Sequence, residues 1–139
     1  VIQNNVLYAY SNNGQLFLYD EILDKFIMKA DLRQLLNNNY FLVHEMLFDE
    51  NGFLWIASSS GLYHYKDDKC KLISAESVDC KSLVKLDKNH LCYFYLNKIV
   101  RINTDTYKTN IIYKLIFYRL FFAKYTAACF KIATSFSNS

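Results

Sequence analysis

Between residues 41 and 74 short apolar runs alternate with tight polar breaks. "FLVHEMLF" has the character of a strand. It ends at Asp49-Glu50-Asn51-Gly52, a hairpin turn, because Asn and Gly tolerate positive φ. "FLWIAS" supplies the aromatic and β-branched residues that suit a second strand. "SSSG" turns the chain again, with Gly61 as the permissive residue. "LYHYK" alternates at period two, Leu62, His64 and Lys66 against Tyr63 and Tyr65. "DDK" turns a third time and "CKLIS" supplies a fourth strand. The pattern predicts four short antiparallel strands joined in order by tight turns.

The same order recurs on both sides. In "NVLYAYSNNGQLFLYDEILDKFIMK", Tyr8 aligns with Trp55 and Leu16 with Leu62. In "KSLVKLDKNHLCYFYLNKIVRINTDTYKTNII", Asp87 aligns with Asp49, Asn89 with Asn51, Tyr93 with Trp55 and Ile99 with Leu62. Strands are expected near 5–10, 15–19, 26–29, 41–48, 53–58, 62–66, 70–74, 81–87, 91–95 and 98–103, with little helix before residue 105.

Repeats of about 40–50 residues, each a four-stranded sheet, mark a β-propeller. The expected class is all-β: a partial β-propeller of about three four-stranded antiparallel blades, with an irregular C-terminal tail. Residues 1–36 make an incomplete first blade and link. Residues 37–78 make the second blade, 79–113 a degenerate third, and 114–139 an atypical basic and aromatic tail. The first blade is expected to lack its first strand. Propellers close with about 4–8 blades, so the chain is expected to be a fragment or the product of a truncated gene. Trp55 is expected to fill the space between blades, not to stack on a sugar. Tyr8, Tyr93 and neighbouring aromatics are expected at the two cut ends.

"NNNYFLVHEMLFDENGFLWIASSSGLYHY" resembles the two-component regulator propeller repeat, N-x-V-x-x-I-x-x-D-x-x-G-x-L-W-I-G-T-x-x-G-L-x-x-Y. Asn38 or Asn39 resembles its leading Asn, and Val43 with Met46 or Leu47 its first hydrophobics. Asp49, Gly52, Leu54, Trp55, Ile56, Gly61, Leu62 and Tyr65 match the rest. Ala57-Ser58 replaces Gly-Thr, the first blade has Tyr8 for Trp, and the third has His90 and Lys98 in place of glycine. One blade matches well and two match in part, over about residues 5–113. The resemblance implies a periplasmic piece of the sensor region of a membrane histidine kinase, often a hybrid one, in a family that includes regulators of polysaccharide use. It implies no catalytic part in this chain. The implied partners are the remaining blades, an oligosaccharide and, in the full-length receptor, a second copy.

Charge adds one boundary. Residues 1–105 carry 11 Lys/Arg and 13 Asp/Glu, whereas the last 34 residues carry five bases and no acid. The overall +3 is too small to argue for nucleic acid or an anionic membrane. A membrane helix needs about 20 mostly apolar residues, and Lys114, Arg119, Lys124 and Lys131 interrupt every run of the tail. No transmembrane helix is expected in this segment. The tail reads as non-native sequence or an unfinished fourth blade, with a cationic interfacial segment as the alternative.

Candidate chemistry is thin. Cys70, Cys80, Cys92 and Cys129 fit no metal spacing and read as small buried apolar residues. His44, His64 and His90 form no i, i+4 pair, so no metal or cofactor is expected. Asp67-Asp68 and Asp49-Glu50 read as solvated turn acids. Ser58-Ser59-Ser60 lacks a nucleophile elbow, and no catalytic residue is assigned. Alternating connections put the loop at 58–61 and the link at 31–40 on one rim. Asn38, Asn39, Tyr40, Ser59 and Ser60 are the candidate ligand-binding residues there, with Asn12, Asn13, Asn37 and Ser58 nearby. Amide, hydroxyl and aromatic groups suit a carbohydrate's hydroxyl edges and apolar ring faces. The function expected is a ligand-sensing piece of a histidine kinase. A propeller scaffold for protein partners is the alternative, and a glycan lyase or hydrolase a third class.

Overall fold

The computed structural model describes residues 1–75 and 79–114. Among these residues twelve strands form three four-stranded antiparallel sheets, each in sequential up-and-down order. The first sheet holds β1 (Ile2–Gln3), β2 (Val6–Tyr10), β3 (Gln15–Asp20) and β4 (Lys25–Asp31). A short helix, α1 (Leu32–Leu36), leads to the second: β5 (Val43–Phe48), β6 (Leu54–Ser58), β7 (Gly61–Lys66) and β8 (Lys69–Ser74). The third holds β9 (Ser82–Asp87), β10 (His90–Tyr95), β11 (Lys98–Asn103) and β12 (Thr109–Lys114). The architecture is all-β and propeller-like, an arc of three blades.

Two apolar layers join the blades. Leu16, Phe41, Met46, Leu54, Ile56, Tyr63 and Tyr65 fill the first junction. There Tyr8 tilts against Phe48 at 5.1 Å. Trp55, Ala57, Leu62, Leu91, Tyr93, Val100 and Ile102 fill the second. Period-two alternation makes this possible: β6 sends Leu54 and Ile56 to one junction, Trp55 and Ala57 to the other. All four are buried. Polar bonds tie the first strands together. Glu45 on β5 accepts from the Ser82 hydroxyl at 2.8 Å and the Leu83 amide at 2.6 Å on β9.

The first blade does not lack its first strand. Ile2 pairs with Leu7 and Gln3 with Val6. The turn between them is Asn4-Asn5, both at positive φ, the geometry of a tight two-residue hairpin. The link between the first two blades contains α1, which was not expected. Asp31 caps it, accepting from the amides of Arg33 and Gln34, and Asn37 ends it in the left-handed region. The third blade closes with β12, beyond the last strand expected.

Tyr93 is not the counterpart of Trp55. Counting back from the β10–β11 turn, where Tyr95 pairs with Lys98, Cys92 stands where Trp55 stands and Tyr93 where Ile56 stands. Asp87 to Cys92 is one residue shorter than Asp49 to Trp55, and a one-residue slip sends every side chain to the other face. Ile99 does take the place of Leu62. Cys92, Phe94 and Ile99 therefore form a third buried cluster on the far face of the third blade. Turns without glycine close by other means, Leu96 taking φ 50.

Neither Tyr8 nor Tyr93 lies at an open end, since both pack into junctions. The same alternation puts Ile2, Leu7, Phe17, Phe26 and Met28 on the outward face of the first sheet. Ile2 is 68% and Met28 55% exposed. An open apolar face of this kind drives association. The chain alone is expected to self-associate, and Leu7→Lys with Met28→Lys to shift its size-exclusion profile towards monomer. A wild-type chain that elutes as a monomer at high concentration contradicts this expectation.

Candidate functional site

One rim of the arc gathers the β2–β3 turn, the α1 link, the β6–β7 turn and the link into β9. The Asn38 amide nitrogen donates to the Ser60 hydroxyl at 3.2 Å, and its oxygen accepts from the Tyr40 amide at 3.0 Å. The Ser59 hydroxyl accepts from the Leu42 amide at 3.1 Å. Ser58 donates to the Gly61 carbonyl at 2.7 Å and accepts from the Ser60 amide. The structure thus brings Asn38, Ser59 and Ser60 together. Much of their polarity is spent holding the link against the turn. Asn39 and Tyr40 share the link but stand in solvent, Tyr40 at 88% exposure. Asn12 takes part through its carbonyl, which accepts from the Val43 amide, and Asn13 through its side chain, which accepts from Arg33.

An ion cluster adjoins this rim. The Asp79 carboxylate lies 3.2 Å from His44 Nε2 and 2.6 Å from Lys81 Nζ. Its amide donates to the Ser59 carbonyl at 3.0 Å. Burial works against its charge, but Lys81 and then His44 outweigh burial and hold the Asp79 carboxyl below its usual range. Asp79 and Lys81 stand two residues apart in the link into β9, but His44 comes from β5, so no local spacing announced the cluster. Amide, hydroxyl, phenol and paired charges together form a surface that donates and accepts hydrogen bonds in several directions.

Six residues of the repeat motif do other work. Asp49 is buried, and its carboxylate accepts from the amides of Asn51 (2.8 Å) and Phe53 (3.0 Å) and from Trp55 Nε1 (2.8 Å). Gly52 completes that turn at φ 78. Trp55 and Leu62 are fully buried. Gly61 starts β7. Tyr65 donates to Asp68 at 2.7 Å. Burial, then Asp68, pushes its phenol well above the ordinary value.

His64 is buried on β7 among Phe53, Trp55 and Tyr107. Burial, then the charge of Lys71, lowers its pKa below 6.5, with Asp49 pulling the other way. The unfolded chain therefore takes up this proton first, and stability is lost as pH falls below about 6.5. The urea midpoint should drop between neutral pH and the onset of carboxylate titration, and His64→Phe should flatten that part of the profile. An unchanged slope in the variant contradicts the assignment.

Cys70, Cys80 and Cys92 are free thiols. Burial pushes Cys70 up to about 12, which leaves it protonated and apolar in character. Cys129 and most of the tail lie outside the described residues. Among the described residues no three His, Cys, Asp or Glu side chains are grouped to hold a metal ion. No helix among them is long and apolar enough to cross a membrane. Comparison with family models, with curated proteins and with solved structures finds no match to this chain.

Proposed function

We propose that this chain is a ligand-sensing propeller segment from the periplasmic sensor region of a membrane histidine kinase, and that its ligand is a carbohydrate. One observation carries the proposal. The α1 link and the β6–β7 turn present Asn38, Ser59 and Ser60 beside His44–Asp79, with Asn39 and Tyr40 free in solvent. Sugar hydroxyls need paired donors and acceptors, and sugar ring faces need an exposed aromatic. The buried Asp49–Trp55 bond supports the resemblance to the repeat, because it gives the motif's Asp and Trp one shared structural task.

The test uses the protein with the flanking sequence of its reading frame, since a site at the centre of a ring needs every blade. Calorimetry with a panel of neutral oligosaccharides should find one that binds, and Tyr40→Ala should weaken it about tenfold or more. The frame downstream should encode a membrane helix and a kinase core. Binding unaffected by Tyr40→Ala, or a frame without a kinase, contradicts the proposal. A scaffold for protein partners is the second reading, favoured by the open apolar face of the first sheet.

A further inference from the structure

The opposite rim carries a cleft with a different chemistry. Lys66 pairs with Lys69 and His64 with Lys71 across the β7–β8 hairpin, so all four side chains share the face turned towards the third blade. With Phe53 and Asp67 they line a cleft of about 410 Å³. Three ammonium groups face one carboxylate there. Like charges placed directly opposite on neighbouring strands repel.

Three lysines elsewhere meet carboxylates. Lys29 meets Asp68, Lys81 meets Asp79 and Lys85 meets Glu50. Lys66, Lys69 and Lys71 have no such carboxylate among the described residues. The Lys66 ammonium instead donates to the Asn51 carbonyl at 2.8 Å and lies 4.7 Å from the Phe53 ring centre. The Lys71 ammonium lies 5.4 Å from the Tyr107 ring centre. Both are steadied by neutral groups that leave their charge unmet.

A second observation comes from His64. It is only 6% exposed, and its Nδ1 has no hydrogen-bond partner among the described residues. Buried polar atoms are rarely left so, and one that is calls for a missing partner. The imidazole forms part of the same cleft that the lysines line.

We propose that this cleft binds an oxyanion, a carboxylate, sulfate or phosphate group borne by a small ligand. Lys66, Lys69 and Lys71 supply the charge and His64 the imidazole at its inner wall. The site is separate from the rim around Asn38 and Ser60, and it stands or falls independently of the carbohydrate proposal.

Trp55 makes the test direct, because its ring lies 5.6 Å from His64. The 139-residue chain is titrated at low concentration with sodium phosphate or sodium glucuronate, ionic strength being held with sodium chloride. Trp55 emission and calorimetric heat are both followed. At least one probe should give a saturable response. Lys69→Gln with Lys71→Gln, both exposed positions, should weaken it about tenfold or more, since each removes a charge-assisted contact. Lys25→Gln on the first blade, an exposed lysine remote from the cleft, should leave it within about twofold. Tighter glucuronate binding assigns the anion to an acidic sugar, and tighter phosphate binding to a phosphate. No saturable signal from either probe by either readout overturns the proposal. So does an equal loss in the Lys25 variant.

Discussion

Trp55→Ala is expected to cost about 3–5 kcal/mol, as truncation of a fully buried large aromatic does. Trp55 is completely buried at the junction of the second and third blades, against a cluster that includes Leu83, Leu91 and Tyr93. The loss would be more than a cavity. Trp55 Nε1 donates to the buried Asp49 carboxylate, and that carboxylate organises the turn before β6. Trp55→Phe keeps most of the packing and drops the donor, so about 1–3 kcal/mol is expected. Asp49→Ala should be non-additive with Trp55→Phe by roughly 0.5–3 kcal/mol, because the two share one bond. Urea denaturation of the two single variants and the double variant measures this. Strict additivity would mean that the bond contributes nothing.

Gly61→Ala is the second large effect. Gly61 stands at φ 133, and an added Cβ would come within 2.5 Å of the Ser74 backbone oxygen and 3.2 Å of Leu72. Backbone cannot move aside as a side-chain tip does. Strain in that region of φ and a steric overlap in a packed sheet each cost about 1–3 kcal/mol, so roughly 3 kcal/mol or more is expected. Gly52→Ala is the contrast. It has φ 78, but only Gln3 Nε2 lies near its added Cβ, at 3.8 Å. It should pay little beyond the left-handed backbone, about 1–2 kcal/mol. Hydrogen exchange should show β8 losing protection in the Gly61 variant alone. A Gly61→Ala chain as stable as Gly52→Ala would show that β7 and β8 are not so closely apposed.

The strands themselves were legible, because alternation at period two and the Asn-Gly and Ser-Gly turns are local signals. β1 was not, since two residues are too few to show a period and Asn4-Asn5 lacks the expected glycine. The register of β10 was lost for a sharper reason. Similar residue types, Asp87, Asn89 and Tyr93, imitate the second blade while the paired equivalent of Trp55 is Cys92, one residue nearer the turn, and only pairing reveals which face Tyr93 takes. The shared rim of Asn38, Asn39, Tyr40, Ser59 and Ser60 followed from alternating connections. Which of those side chains stay free did not, because hydrogen bonds such as Asn38 to Ser60 depend on how the link folds around α1. His44 and Asp79 meet only once blades stack. The lysine cleft lay half in view: "LYHYKDDKCK" places His64 and Lys66 across a turn from Lys69 and Lys71, but their common face needs the hairpin register.

The blades meet through buried apolar clusters, and Trp55, the chain's one tryptophan, reports on the second of them. Acrylamide quenching of its fluorescence in the folded 139-residue chain tests this most directly. The structure predicts blue-shifted emission that acrylamide barely quenches, and that remains so when an oligosaccharide is added. Red-shifted emission, quenched as freely as that of tryptophan in water or protected only by added sugar, would place Trp55 on an open surface and contradict the stacked-blade arrangement.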